Sequence, residues 1–225
     1  MKDFSTTPGM IDAYCERTAD GLWAEPFNLI TSIAFIVAAA LLFKRSRVSG
    51  KIFSSESWDF WLLLICLTAV GIGSLLWHSF AREWAHQADL IPITLLINVF
   101  LMSFFVRIAG LPLWQLVGLF IGFQALNIWI IAPFPADFLN GSIFYIPVVI
   151  TLWGVVLWLF RQQHPLKHSY FLASILFTLS VILRSLDQVS CNVFPLGTHF
   201  IWHLINAVVL YLLLRPLARH IRSSS

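Results

Sequence analysis

Seven long apolar stretches account for most of this chain and limit what it can fold into. They cover residues 26–43, 58–80, 88–106, 112–132, 139–160, 169–186 and 198–215. A helix needs about 20 mostly apolar residues to cross a bilayer, and only helices and closed barrels satisfy their backbone hydrogen bonds there. The chain is therefore predicted to be an all-α integral membrane protein with seven transmembrane helices.

The composition agrees with this prediction and argues against a soluble or nucleic-acid-binding protein. Of the 225 residues, 59% are hydrophobic and 11% are charged, whereas a soluble domain carries about a quarter charged residues. The net charge of +3 is small, and the basic residues form no stripe of the kind that binds nucleic acid. Because the connections are short, residues 1–225 are predicted to form a single domain, with residues 1–25 as an acidic segment outside the membrane.

Lysine and arginine in the short loops predict the orientation, because cytoplasmic loops carry an excess of both. With seven spans, one side of the membrane receives Lys44, Arg45, Arg47, Lys51, Arg107, Arg161, Lys167, Arg215, Arg219 and Arg222. The other side receives Lys2, Arg17, Arg82 and Arg184. The C-terminus is therefore predicted to be cytoplasmic and the N-terminus to lie outside.

Polar side chains inside the spans are the first candidates for function, since burying them in hydrocarbon is costly. Ser74 and His78 are four residues apart and share one face of the second span near its outer end. Asp89 begins the third span at the same level of the membrane. His199 and His203 are also four apart, at the outer start of the seventh span.

The histidine spacing favours a metal site. Two histidines at i and i+4 on a helix can reach one metal ion, and three histidines with an open fourth position are a ligand set of catalytic zinc. Zinc lowers the pKa of a bound water to about 7. Asp89 is then the candidate to move a proton and Ser74 to donate to a developing oxyanion. The alternative is that His78, His199 and His203 are hydrogen-bond partners between helices, with His86 a rival ligand.

Two cysteines fall on the predicted outer side. Cys15 lies in the N-terminal segment and Cys191 in the loop before the seventh span. An oxidising outer compartment permits a disulfide between them, and the alternative is two free thiols. Arg184 and Asp187, three residues apart, are expected to be able to neutralise each other.

The chain resembles the alkaline ceramidase family, within a larger group of seven-helix membrane hydrolases that includes the adiponectin and progestin receptors. The segments that carry the resemblance are GSLLWHSFAREWAHQADLIPI, THFIWHLINAVVLY and YCERTADGLWAEPFN. The intervals between Ser74, His78 and Asp89 agree with the family pattern, as does the interval from His199 to His203.

The resemblance implies a function and a set of roles. It implies zinc held by His78, His199 and His203, with Asp89 as proton shuttle and Ser74 near the substrate carbonyl. It implies cleavage of the amide of ceramide to a sphingoid base and a fatty acid. It also implies a disulfide between the positions that match Cys15 and Cys191. The expected partner is a lipid substrate, and no obligate protein partner is evident.

The resemblance further implies a calcium site in the N-terminal segment, although the match is imperfect. Glu16 and Glu25 match family glutamates, whereas Ala13 and Thr18 stand where the family has an aspartate and an asparagine. Calcium prefers six to eight oxygen ligands. The residues that remain available as calcium ligands are Glu16, Glu25, Asp12 and Asp20. The alternative is a solvated acidic tail.

Two other classes of function remain open. A receptor or sensor of the adiponectin-receptor type would keep zinc with little catalysis, and a transporter would place polar groups through the full depth of the bilayer. The compact loops and the absence of an apolar signal-peptide core predict a bacterial inner membrane, with the site toward the periplasm. Ceramide is scarce in such a setting, so another N-acyl lipid is an alternative substrate.

Overall fold

The computed structural model describes residues 9–47 and 57–223, and within them the fold consists of seven long helices and no strand. A short 3₁₀ turn, Ser142–Tyr145, precedes the fifth helix. The helices are α1 Pro26–Arg47, α2 Trp58–Phe80, α3 Glu83–Arg107, α4 Leu113–Ile131, α5 Ile146–Arg161, α6 Lys167–Ser190 and α7 His199–Ser223. Lys2 and Lys51, which contribute to the predicted orientation, lie outside the described residues.

All seven helices are long and apolar enough to cross a membrane, which confirms the predicted fold class of an integral, multi-pass protein. Each helix packs against the next in the chain, and α7 returns to α1 and closes the ring. The helix α3 also contacts α7 across the ring. This closure places the C-terminal end of α2 and the N-terminal ends of α3 and α7 next to one another.

The apolar windows of the sequence predicted where the helices lie more accurately than where each helix begins and ends. The third helix begins at Glu83 rather than at 88, and the sixth runs from Lys167 to Ser190 rather than over 169–186. The reason is that polar and charged residues continue a helix beyond the hydrocarbon as readily as apolar ones. Pro147 occupies the first turn of α5, where its missing N–H is tolerated.

A close approach of α2 to α3 shapes the end of the bundle where α2 turns into α3. Ala81 adopts a left-handed conformation (φ 46°) and ends α2, so the chain reverses directly into α3. A Cβ on Gly73 would collide with the carbonyl of Ala88 and would lie 2.8 Å from the Cα of Asp89. The absence of a side chain at Gly73 therefore lets the backbone that carries Asp89 pack beside the turn that carries Ser74.

The core is apolar at mid-depth, and much of the outer surface is apolar as well. Leu63, Leu67, Phe104 and Leu214 are fully enclosed between helices. The helix α4 is the most peripheral, because Phe123 is its one buried residue. Large exposed apolar side chains on the bundle surface suit contact with lipid, as expected for a membrane-spanning protein.

Candidate metal centre

Three histidines converge at the end of the bundle that also carries the N-terminal segment. His78 comes from the last turn of α2, and His199 and His203 come from the first two turns of α7. All three are at most 2% exposed. One ligand atom from each lies within 4.8 Å of the others, and no other such group of histidine, cysteine or acidic side chains is found in residues 9–47 and 57–223.

Two of the imidazoles face each other through their Nε2 atoms, which are 3.3 Å apart in His78 and His203. The Nδ1 of His78 lies 2.6 Å from the carboxylate of Glu25, a group that only accepts when ionised. The Nδ1 of His203 lies 3.0 Å from the hydroxyl of Thr31, which itself donates to the carbonyl of Phe27. This network assigns the protons to both Nδ1 atoms and leaves both Nε2 lone pairs facing inward.

The third imidazole is held by ring packing and by its backbone. The ring of His199 stacks on Tyr14, with centroids 3.8 Å apart, and on Trp202 at 5.2 Å. Its backbone N–H donates to Oδ1 of Asp187 at 2.9 Å. The same carboxylate accepts from the backbone N–H groups of Thr198 at 2.5 Å and Cys15 at 3.0 Å. Asp187 therefore caps the N-terminus of α7 and ties it to the N-terminal segment.

This donor set fits a zinc ion. Two buried Nε2 lone pairs that face each other repel unless a cation or a proton lies between them. In addition, Nδ1 of His199 is buried and has no hydrogen-bond partner. Zinc takes three histidine nitrogens and leaves a fourth position open in catalytic sites. Carboxylate or hydroxyl partners on the outer nitrogens, here Glu25 and Thr31, are a common feature of zinc-binding histidines.

Of the two predicted polar partners, Ser74 contacts the histidine group and Asp89 lies on the adjoining turn of α3. The hydroxyl of Ser74 is 3.3 Å from Nε2 of His203 and 2.8 Å from the hydroxyl of Ser32 on α1. Asp89 is brought beside this turn by the α2–α3 contact at Gly73. Its Oδ1 is buried without a hydrogen-bond partner, so it is available to a molecule that enters the site. His86, the rival ligand, contacts Trp77 instead and is not part of the histidine group.

An apolar cavity begins next to the histidines and continues into the membrane-spanning part of the bundle. Phe35 and Trp202 line it, and both rings contact His203, with centroid distances of 5.8 and 5.4 Å. Along α7 the lining continues from Trp202 to Leu213, which is roughly 16 Å at 1.5 Å per residue. The cavity is narrow, with a volume of about 80 Å³, and almost wholly apolar, so a thin apolar chain is the ligand whose polarity matches it.

Hydrogen-bond donors of the protein itself contact two of the four residues implied in calcium binding. Glu16 accepts from the backbone N–H groups of Phe27 and Asn28, at 2.6 and 2.9 Å, and so caps α1. Glu25 accepts from Arg17, His78 and the side chain of Asn28. Asp12 and Asp20 are exposed. Thus N–H donors already contact the carboxylate oxygens of both glutamates, and the four acidic residues do not come together as a ligand set.

Burial and neighbouring charges shift the pKa values of Glu16 and Glu25 in opposite directions. Burial raises the pKa of Glu16, and the two backbone N–H groups only partly offset that effect. Burial would also raise the pKa of Glu25, but the contacts with His78, Arg17 and Asn28 outweigh it and lower its pKa. The Glu25 carboxylate is therefore held in its charged, accepting form beside the imidazole of His78.

The expected disulfide is present. Cys15 and Cys191 are bonded, with Cα atoms 5.1 Å apart and 176 residues of sequence separation. The bond joins the N-terminal segment to the end of α6, directly beside the Asp187 cap. Arg184 donates to the carbonyl of Asn140 and to Ser142, while Asp187 accepts from backbone N–H groups. Arg184 and Asp187 therefore do not form the ion pair that their spacing suggested.

Three residues of this site were not recognised in the sequence. They are Arg17, Thr31 and Asp187, each of which supports a histidine or its helix. Thr31 carries no distinctive signal in the sequence, and the spacing of Asp187 suggested a pair with Arg184 and not a cap of α7. Arg17 did offer a signal, because a lone arginine beside Glu16 in an acidic outer segment invites a search for a buried carboxylate partner.

Comparison with known families identifies one match. A family model described as Ceramidase matches residues 12–222, which is nearly the whole chain and includes all three histidines. No curated protein matches the sequence.

Proposed function

The chain belongs to the ceramidase family, and from that premise we propose that it is a zinc-dependent intramembrane amidase. Its substrate is ceramide or a related N-acyl lipid, and its products are a free fatty acid and an amine, which is a sphingoid base when ceramide is the substrate. The observation that carries the proposal is the position of three buried histidines beside an apolar cavity in a membrane-spanning bundle.

His78, His199 and His203 would hold the metal. A zinc ion held there would supply Lewis-acid chemistry to a water molecule and to an amide carbonyl. Glu25 and Thr31 hold the Nδ1 protons of His78 and His203 in place. The Nε2 lone pairs of both rings then face the metal position.

Asp89 and Ser74 carry out the proton transfer and the stabilisation of charge. Asp89 takes a proton from the attacking water molecule while the oxygen of that water bonds to the carbonyl carbon. When the C–N bond breaks, Asp89 returns that proton to the leaving nitrogen, so the products are a carboxylic acid and an amine. Ser74, whose hydroxyl lies 2.8 Å from that of Ser32, donates to the oxygen of the former carbonyl while it carries negative charge.

The cavity supports a lipid substrate. Its lining is almost wholly apolar, and it leads away from His203 toward the middle of the bundle. A long acyl chain placed along it would bring its amide to the level of the histidines. Burial of the chain would also keep bulk water away from the site, which strengthens the electrostatic interactions of Asp89 and Ser74.

The side of the membrane is part of the proposal. We place the centre on the periplasmic side of a bacterial inner membrane. The Cys15–Cys191 bond supports this placement, because it lies at the same end of the bundle as the histidines and disulfides persist in oxidising compartments. The excess of lysine and arginine in the alternate loops points the same way.

The test begins with the metal content of the purified protein, in the wild type and in His203→Ala. His168→Ala is the matched control, because His168 is exposed and lies at the opposite end of the bundle. We expect about one zinc per chain in the wild type and control, and its loss in His203→Ala. The same preparations are then incubated with a panel of N-acyl lipids, and the fatty acid released is measured.

Fatty acid released by the wild type and control, but not by His203→Ala, would support the amidase and begin to define its substrate. Bound zinc without release from any N-acyl lipid would favour a sensor of the adiponectin-receptor type. Absence of zinc from the wild type would contradict the proposal, and the histidines would then be packing residues of α2 and α7.

A further inference from the structure

Arg17 is a buried cation that connects the N-terminal segment to the metal centre. It is 2% exposed. Its Nε donates to Oε1 of Glu25 at 2.6 Å, and its Nη2 donates to the backbone carbonyl of His78 at 2.8 Å. One guanidinium therefore contacts both the carboxylate that orients His78 and the backbone that carries His78.

The other oxygen of the Glu25 carboxylate completes the connection. Oε2 lies 2.6 Å from Nδ1 of His78 and 3.0 Å from the side-chain nitrogen of Asn28. With Arg17 on Oε1, both oxygens of Glu25 are engaged by donors, and Glu25 is 2% exposed. A carboxylate buried to this degree requires a compensating positive charge, and within the site Arg17 provides a permanent one.

This arrangement differs from the calcium site that the resemblance implies. A calcium ion in this segment would use the oxygens of Glu16 and Glu25 as ligands and would neutralise them. In this chain the Glu16 oxygens accept from two backbone N–H groups, and the Glu25 oxygens accept from Arg17, Asn28 and His78. Donors and a cation from the protein itself already meet the needs that a calcium ion would meet.

We propose that Arg17 takes the place of calcium in this chain, so that an internal guanidinium, and no divalent cation, positions Glu25 against His78. Arg17 is then a positioning residue for the metal centre and not a catalytic one. The inference rests on the proposed zinc site for its effect on zinc, whereas the independence from calcium rests on the contacts of Arg17, Glu16 and Glu25 alone.

The first experiment needs no variant. The purified wild-type protein is titrated calorimetrically with calcium, and its unfolding temperature is recorded in calcium-free buffer and with calcium at about 1 mM, where weak extracellular sites are filled. We expect no stoichiometric binding and the same unfolding temperature in both conditions. Stoichiometric binding, or a higher unfolding temperature with calcium, would overturn the proposal even if the zinc hydrolase proposal holds.

The second experiment measures zinc affinity by competition with a chelating dye in Arg17→Gln and Arg17→Lys. The matched control is Arg107→Gln, which removes a less deeply buried ion pair, with Asp59, at the opposite end of α2 and α3. We expect Arg17→Gln to lower zinc affinity about 10-fold, the lower end of the loss that follows removal of an outer partner of a zinc ligand, because Arg17 acts through Glu25. The zinc affinity of Arg17→Lys should lie between those of the wild type and Arg17→Gln, since lysine keeps the positive charge but lacks the planar guanidinium.

The control separates positioning from general stability. Arg107→Gln should lower the unfolding temperature and leave zinc affinity unchanged. An equal loss of zinc affinity in Arg17→Gln and Arg107→Gln would overturn the positioning role. If Arg17→Gln does not fold, Arg17→Lys and the calcium titration of the wild type still decide the question. A wild type that binds neither zinc nor calcium would contradict the proposed function while supporting independence from calcium.

Discussion

The carboxylate of Asp187 accepts a hydrogen bond from the backbone N–H of His199, with an oxygen–nitrogen distance of 2.9 Å. The same group accepts from Thr198 and from Cys15. A side chain from the end of α6 therefore sets where α7 begins, and with it the position of the first histidine. The Cβ that any other residue would carry at Gly197 would collide with this carboxylate, so the turn before α7 is built around Asp187.

Replacing Asp187 with alanine is expected to destabilise the protein and weaken the metal centre together. Three backbone N–H groups would lose their acceptor, and each buried unsatisfied donor costs about 1–3 kcal/mol. We expect the free energy of unfolding to fall by about 3 kcal/mol or more and zinc to be removed more easily by a chelator. Thermal unfolding and zinc content measure the two effects. Asp137→Ala, at an exposed loop position, should change neither, and an Asp187→Ala protein with the stability of that control would contradict the capping role.

Asp89→Asn is expected to separate metal binding from turnover. The side chain keeps its shape but can no longer accept the proton, so kcat should fall by about 10²–10⁴-fold while zinc content stays at the wild-type level. Fatty-acid release measured beside metal analysis makes the comparison, with Asp137→Asn as the control. Near-normal kcat in Asp89→Asn would remove Asp89 from the role of proton shuttle.

A larger side chain at the far end of the cavity is expected to change the preferred acyl chain. Leu213 is 5% exposed and lines the cavity about three helical turns from Trp202. Leu213→Trp should reduce release of the longest acyl chains more than that of short ones, because the short chains end before they reach it. The measurement is the ratio of kcat/KM for a long and a short N-acyl substrate. A ratio equal to that of the wild type would show that the acyl chain binds elsewhere.

Loss of the disulfide is expected to loosen the N-terminal segment. Cys15→Ser should lower the free energy of unfolding by about 2–4 kcal/mol, since a bond that closes so long a loop restricts the unfolded chain. Treating the wild type with a reductant should lower its unfolding temperature to that of the variant. Cys66→Ala provides the control, because Cys66 is a free thiol in the core and its variant should keep its response to reductant. An unfolding temperature unaffected by reductant would contradict a stabilising bond.

The positions of the histidines and of Ser74 could be predicted from local patterns in the sequence. Intervals of four residues put His199 and His203 on one face of a helix, and the same holds for Ser74 and His78, because side chains four apart are neighbours on any helix. The alternation of basic loops related the ends of α2, α3 and α7 to one side of the membrane. These are short-range or statistical properties, and they do not depend on which helices become neighbours.

The residues that orient the histidines could not be predicted from such local patterns. Glu25 was interpreted as a calcium ligand, yet it orients His78, which is 53 residues further along the chain. Thr31 was not singled out, and Asp187 was expected only to neutralise Arg184, although Thr31 contacts His203 and Asp187 caps α7. Each of these contacts joins residues distant in sequence, and no periodicity of a single helix reports them.

From its residues alone, this chain could be recognised as seven membrane-spanning helices with three candidate zinc ligands, because lipid imposes apolar windows and helices impose a spacing of four. Helix packing settled the rest. It determined that α7 closes against α1, that Gly73 admits the backbone of Asp89, and that Arg17 lies on Glu25. Those outcomes depend on how buried charges find partners across the bundle, and such pairings exist only once the helices are assembled.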